Sequence, residues 1–395
     1  MIAQAVPAGR VELADIVREH AGRLTGLSPT QQHVLRAIAD CRTAALGGHR
    51  RACAQCGHQE ISYNSCRDRH CPKCQGLEAA RWMDAQQRDL LPVQYFHVVF
   101  TVPTELHALF LAAPKATYSL LFAAVAETLT QVALRRLGAQ IAFTAILHTW
   151  TQLLLFHPHL HCIVPGGGLD PGHTHWISTR ADFFLPVRVL AEVFRGKLLA
   201  TLETAIDRAE IPRRRDDDPH ALLKRAATKR WVVYCKPPFA GPDQVLAYLA
   251  RYTHRIALSN DRLVSLHAGQ VTFRWKDRAH GNAPRVATVE AETFLRRFLL
   301  HVLPHRFVRI RHYGWLANSA RKRLLPTVRE VLGPSATSAT SPPAVAPDTW
   351  EATLLRLTGK DVTRCPCCGA GGFLIVEALP ARAKPGDFPL RVRSP

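Results

Sequence analysis

An α+β fold with an N-terminal helical and zinc-ribbon region is what this sequence predicts, and three observations carry the expectation. Runs rich in β-branched and aromatic residues alternate with longer stretches of helical spacing. Some of those runs are joined by short Gly-containing links of hairpin type. Near the N-terminus, paired cysteines recur at the two-residue spacing of a metal knuckle. Hydrophobic residues make up 47% of the 395, a globular composition, and the length suffices for a large core and two or three domains.

In chain order, Val11, Ile16 and Val17, then Val34, Leu35 and Ile38, mark helices over residues 11–45, with Ser28-Pro29-Thr30 as a helix start. A cysteine-rich module covers 53–74, and a helix follows over 77–90. Tyr95–Val102 reads as a strand, 104–112 and 115–137 as helices, and 142–155 as a second strand pattern leading into Phe156–Val164. His175–Ser178 reads as the hairpin partner of that last strand. A helix over 186–210 precedes the charged loop 213–218. Trp231–Cys235 is a strand closed by Pro237-Pro238, and Gly241-Pro242-Asp243 opens a helix carrying Tyr248 and Tyr252. Strands over 263–267 and 271–275, a helix over 291–303 and a basic stretch over 306–323 complete the body. Domain boundaries then fall at 1–91 (containing the module), 92–330, a Ser/Thr/Pro-rich linker at 331–350, and a tail at 351–395.

Charge narrows the class of partner. With 51 Lys+Arg against 31 Asp+Glu, the formal net charge is +20, which calls for a polyanion and favours nucleic acid. The most apolar helical stretch, 118–134, carries Glu127, so a buried helix is expected there and no membrane partner. Met1–Gln4 lacks the n-region and h-region of a signal peptide. A cytoplasmic protein is therefore expected, associated with the nucleoid when on DNA, and eleven cysteines there point to metal binding and not to disulfides.

Cys53-x2-Cys56 and Cys71-x2-Cys74, fourteen residues apart, fit a four-thiolate zinc ribbon with a closed, structural coordination shell. Cys66 and His70 lie between the pairs as alternative ligands. Arg67, Arg69 and Lys73 give the module a cationic rim suited to phosphate. The tail carries Cys365-Pro366-Cys367-Cys368-Gly369, half of a similar site with no second half beside it in the sequence.

His157, His159 and His161 alternate along one strand, so all three imidazoles project from one face while Leu160 projects from the other. Three imidazoles on one face need partners, and a divalent cation serves all of them. Tyr248 and Tyr252, four apart on a helix, share a face in cationic surroundings that include Arg251 and Arg255. A tyrosine oxygen can attack a phosphodiester and hold DNA covalently.

The order of three motifs then resembles a known family. His157-Pro158-His159-Leu160-His161-Cys162-Ile163-Val164-Pro165-Gly166-Gly167, followed by Tyr248-Leu249-Ala250-Arg251-Tyr252-Thr253-His254-Arg255, is similar to the HUH-type two-tyrosine transposases of bacterial rolling-circle insertion sequences. Ser65–Gln75 resembles the zinc-binding domain that precedes that nuclease, so the likeness runs from about Cys53 to Arg321. It implies a central antiparallel sheet flanked by helices (the HUH nuclease fold), with the histidines on a middle strand and the tyrosines on a neighbouring helix. It also implies a single-stranded-DNA endonuclease and strand transferase. His159 and His161 would be ligands to Mg2+ or Mn2+, with His157 as the third and Gln244 and His97 behind it. Tyr248 and Tyr252 would be nucleophiles that form a 5′-phosphotyrosine. A homo-oligomer is compatible with this reading.

The run His305–Trp315 interleaves Arg306, Arg309 and Arg311 with Phe307, Tyr313 and Trp315, a pattern suited to stacking and neutralising a single strand. The same residues also suit a basic amphipathic helix on a solvated surface, since aromatic residues build cores as well. Two further classes compete with the transferase: a histidine-metal nuclease without a covalent step, and a non-catalytic zinc-ribbon nucleic-acid binder.

Overall fold

The computed structural model describes residues 11–212, 218–239, 245, 257–277, 280–333 and 349–382. Two short helices open the described chain, α1 (Leu13–His20) and α2 (Pro29–Asp40). The Ser28 side chain accepts from the Gln31 amide (3.2 Å) and Pro29 takes the first helical position, so α2 starts where its sequence expects. A hairpin, β1 (Gly48–Cys53) and β2 (Gln59–Tyr63), precedes helix α3 (Pro72–Gln87).

The body centres on a five-stranded sheet made of β3 (Tyr95–Thr101), β4 (Phe143–Trp150), β5 (Phe156–Pro165), β8 (Val233–Phe239) and β12 (Ile310–Tyr313). Its order is β12-β4-β5-β3-β8 and every neighbouring pair is antiparallel, so the histidine strand β5 lies in the middle. The chain is thus α+β, with antiparallel sheets and helices.

The two faces of this sheet have different contents. On one, Leu160, Cys162 and Val164 pack with Val98, Phe100 and Leu147 into the main core. Helices α4 (His107–Ala112), α5 (Pro114–Leu137), α6 (Val187–Asp207) and α7 (Pro219–Ala227) contribute Phe110, Phe122, Leu129, Phe194, Leu198 and Leu222 to that core. Helix α5 is long and apolar enough to cross a membrane, yet Leu121, Phe122, Val125, Leu129 and Val132 recur at helical spacing and are buried. That is the pattern of a core helix. On the opposite face, Tyr95, Ile146 and Ile163 group with Val245 and with Trp82 and Met83 of α3.

Two expectations are corrected here. The segment 176–178 does not pair with the histidine strand. As β7 (Trp176–Ser178) it pairs with β6 (Gly167–Leu169), because both neighbours of β5 are already β4 and β3. Gly168, inside β6, allows a close approach, since a Cβ on it would lie 2.5 Å from the Gln140 carbonyl oxygen. Pro237-Pro238 does not close β8 either; the strand runs on to Phe239, which an edge position allows.

A second antiparallel sheet holds β9 (Leu263–His267), β10 (Gln270–Asp277) and β11 (Ala283–Glu290), followed by α8 (Ala291–Leu299) and, after β12, α9 (Arg321–Leu332). The tail forms α10 (Trp350–Thr358) and β13 (Phe373–Leu379). Strand β13 pairs with β1, placing the tail in the same small sheet as the N-terminal hairpin.

Candidate functional site

His159 and His161 sit on the central strand and point to the face away from the main core. Cross-strand register puts His148 of β4 directly opposite His159, and Ile146 opposite His161. One nitrogen from each of His148, His159 and His161 lies within 4.8 Å of the others, and all three side chains are buried. A cation about 2.1 Å from each nitrogen needs them roughly 3–4 Å apart, a spacing inside that 4.8 Å limit.

Neighbouring groups set the imidazole orientations. The Nδ1 of His159 lies 2.7 Å from the His157 carbonyl oxygen. A carbonyl only accepts, so Nδ1 carries the proton and Nε2 is the nitrogen that bears a lone pair. His161 shares a 2.7 Å hydrogen bond through Nδ1 with His97 Nε2, and the two rings stack at 5.0 Å. The His148 ring lies on Trp150, with centroids 4.4 Å apart. Such outer contacts fix the tautomer and direction of ligating histidines. The donor set therefore fits a borderline divalent cation with positions left for oxygen ligands.

His157 does not join this cluster. Its ring is half-buried, 5.2 Å from the His159 ring and 6.1 Å from that of His107, and its carbonyl serves His159. The two-residue alternation gave it the right face but one step too far along the strand. His148 takes its place, and no single-strand pattern could show that, because its proximity depends on the β4–β5 register. His97 supports His161 and lies outside the three-nitrogen cluster. Tyr248, Tyr252, Arg251, Arg255 and Gln244 lie outside the described residues. Val245, three positions before Tyr248, is buried on the histidine face with Ile146 and Ile163.

The thiols of the N-terminal module form two clusters, not one. Cys71 and Cys74 join Cys41 and Cys66, while Cys53 and Cys56 join Cys365 and Cys368. Chain geometry explains the division. Cys71 and Cys74 begin α3, next to the end of α2 at Cys41, whereas Cys53 ends β1, which pairs with the tail strand. The Sγ separations are 3.6 Å for Cys41–Cys74 and for Cys66–Cys74. Tetrahedral zinc with Zn–S near 2.3 Å puts sulfurs roughly 3.8 Å apart. Hydrogen bonds from Cys41, Cys66 and Cys71 hold the Cys74 thiol far below its usual range, while the neighbouring sulfurs, Cys41 first, push Cys66 and Cys71 up. Four thiols this close cannot all ionise without a cation among them.

His70 is not a ligand. Its Nδ1 pairs with Asp68 (2.9 Å) and its Nε2 accepts from the Leu303 amide (3.1 Å), so both nitrogens are engaged in tying the module to the chain beyond α8.

The basic residues divide between surface and interior. Arg67 and Arg306 are exposed, both in left-handed backbone conformation. Lys73 pairs with Glu12 (2.6 Å), and Arg69 donates to the Phe307 carbonyl. Arg309 is buried, and desolvation, with Arg69 nearby, brings its pKa down to about 9. Arg311 lies over the Phe122 ring at 4.2 Å and donates to the Val308 carbonyl. Phe307 and Trp315 are buried and Tyr313 stacks on Phe143. The aromatic residues of this run build core, so Arg309 and Arg311 serve packing and the stacking platform for a single strand is corrected accordingly.

Comparison with known proteins agrees with this geometry. Residues 142–323, spanning β4 to the start of α9, match a family described as "Putative transposase". Residues 13–102 match one described as "Transposase zinc-binding domain", and all four cysteines of the Cys41 cluster fall inside it. A protein of Sinorhizobium fredii (strain NBRC 101917 / NGR234) named "Putative transposase y4qJ" is 49% identical over 383 residues, covering 93% of this chain and 95% of that one. The chain belongs to this transposase family. A "Transposase for insertion sequence element IS801" of Pseudomonas savastanoi pv. phaseolicola is 27% identical over 355 residues, covering 87% of this transposase and 83% of the relative. No solved structure matches the transposase.

Proposed function

We propose that this transposase is an HUH-type endonuclease and strand transferase acting on single-stranded DNA in rolling-circle transposition. The observation that carries the reading is the buried trio His148, His159 and His161 on the central strand of an antiparallel sheet. His148, His159 and His161 would hold Mg2+ or Mn2+, which supplies polarisation of the scissile phosphate and neutralises charge developing on it. Around that trio, the His157 carbonyl, His97 and Trp150 keep the rings directed.

Tyr248 and Tyr252 are the nucleophiles in this reading. A phenolate oxygen bonds to phosphorus, the P–O3′ bond breaks, and the proton given up by the tyrosine ends on the released 3′-hydroxyl. The product is a 5′-phosphotyrosine, and attack by a 3′-hydroxyl reverses the step on a new strand. Burial of Val245 beside Ile163 supports delivery of the tyrosines to the histidine face, because they follow it by only three and seven positions. The +20 charge supports a DNA partner.

Metal-dependent nicking tests the reading. With Mn2+, the protein should cut single-stranded oligonucleotides tiling the DNA that flanks its coding sequence, and a chelator should stop it. His159→Ala and His161→Ala should each lose nicking by more than about 100-fold, beyond the range for groups that merely orient a ligand, while DNA retention in a gel-shift assay persists. Undiminished nicking by either variant would remove the trio from the active site.

A further inference from the structure

The second cysteine cluster joins the head of the chain to its tail. Cys53-x2-Cys56-Gly57 and Cys365-x2-Cys368-Gly369 have the same local build. In each, the glycine amide donates to the carbonyl of the first cysteine (3.0 and 2.8 Å), and the glycine takes a left-handed conformation (φ 71° and 74°) that side chains resist. Between the knuckles, Cys53–Cys368 and Cys56–Cys365 Sγ distances are 3.7 and 3.6 Å. These are far beyond a disulfide bond of about 2.05 Å and match the roughly 3.8 Å edge of a tetrahedral zinc–thiolate site.

The tail is also seated by contacts independent of sulfur. Strand β13 pairs with β1 from Cys53↔Phe373 to Gly48↔Leu379. Arg50 meets Glu377 at 2.7 Å, Arg51 lies over the Phe373 ring at 4.3 Å, and Arg356 of α10 meets Asp84 of α3 at 2.9 Å. The matched zinc-binding domain ends at residue 102, so the tail knuckle lies outside it.

We infer that the chain binds a second zinc ion through Cys53, Cys56, Cys365 and Cys368, and that this ion clasps the C-terminal tail onto the N-terminal module. The clasp is separate from the histidine site and makes no demand on the nuclease reading.

Elemental analysis of the purified full-length chain should find two zinc ions. Cys365→Ser/Cys368→Ser should retain one, and Cys66→Ser/Cys74→Ser should lose the other. Cobalt substitution of the wild type should give thiolate charge-transfer absorption for two sites, reduced by half in the tail variant. A protease site inserted within 334–348 of the full chain gives a readout that does not depend on a variant folding. After cutting, the tail should co-elute with the body in zinc and separate when a chelator removes the metal. One zinc in the wild type, an unchanged zinc content in the tail variant, or a cut tail that behaves identically with and without zinc would each overturn the clasp.

Discussion

At the residue scale, the histidines divide by what their second nitrogen meets. His148, His159 and His161 bring one nitrogen each to a shared cluster, whereas His70 and His301 each direct both nitrogens at groups elsewhere in the fold. Replacing His148 with Ala should lower Mn2+ affinity and nicking as severely as His159→Ala. His157→Ala should leave Mn2+ affinity near wild type in a calorimetric titration, since its contribution to the trio is a backbone carbonyl. A loss with His157→Ala equal to that with His148→Ala would contradict the assignment. His97→Ala, which removes an orienting partner, should cost about 10–100-fold in affinity. His301 gives a pH prediction. It is buried, with Nε2 on the Leu154 carbonyl and Nδ1 on Thr149, and burial brings its pKa from 6.5 to about 4. Below pH 6.5 the unfolded chain takes a proton that the folded chain refuses, so stability is present above that pH and lost as pH falls towards 4. The loss should approach about 3 kcal/mol. Thermal melts from pH 7 to 4 should show it, with a smaller slope in His301→Gln.

At the element scale, β5 separates structure from chemistry by alternation. Leu160 is fully buried against the helix-covered core, while His159 and His161 face away. Leu160→Ala should destabilise the fold by about 2–5 kcal/mol in urea titration, and His161→Ala should abolish nicking with much less effect on the melt. Equal destabilisation by both would mean that the histidine face is simply another core face. Alternation made this strand legible from sequence, as did the Ser28 cap for α2. Pairing was less legible. The link between residues 148 and 159 needs β4 and β5 aligned, and the Trp176 segment chose β6 because β5 had no free edge. Likewise the basic run around Arg309 reads equally as a DNA strip or a core edge until β12 is placed beside β4.

On the scale of the whole molecule, metal sites organise parts far apart in sequence. The Cys41 cluster begins α3, and α3 carries Trp82 and Met83 onto the histidine face, so the zinc-binding domain borders the candidate nuclease site. Eight of the eleven cysteines fall into two clusters of four. Local spacing found the knuckles, but ligand partnership depends on which distant segments meet, and Cys41 has no knuckle spacing to announce it. The central claim joins these parts: a tyrosine beside the histidine trio takes DNA into covalent linkage. Its most direct measurement is capture, on a denaturing protein gel, of label placed 3′ of the nick, on the fragment whose 5′ phosphate the tyrosine would hold, using Mn2+, radiolabelled single strands from the flanking DNA, wild type and Tyr248→Phe/Tyr252→Phe. The account predicts a labelled protein band in the wild type, none in the double variant and none after chelation. Efficient cleavage with no adduct in the wild type, or cleavage undiminished in the double variant, would contradict it and leave a hydrolytic metal nuclease in its place.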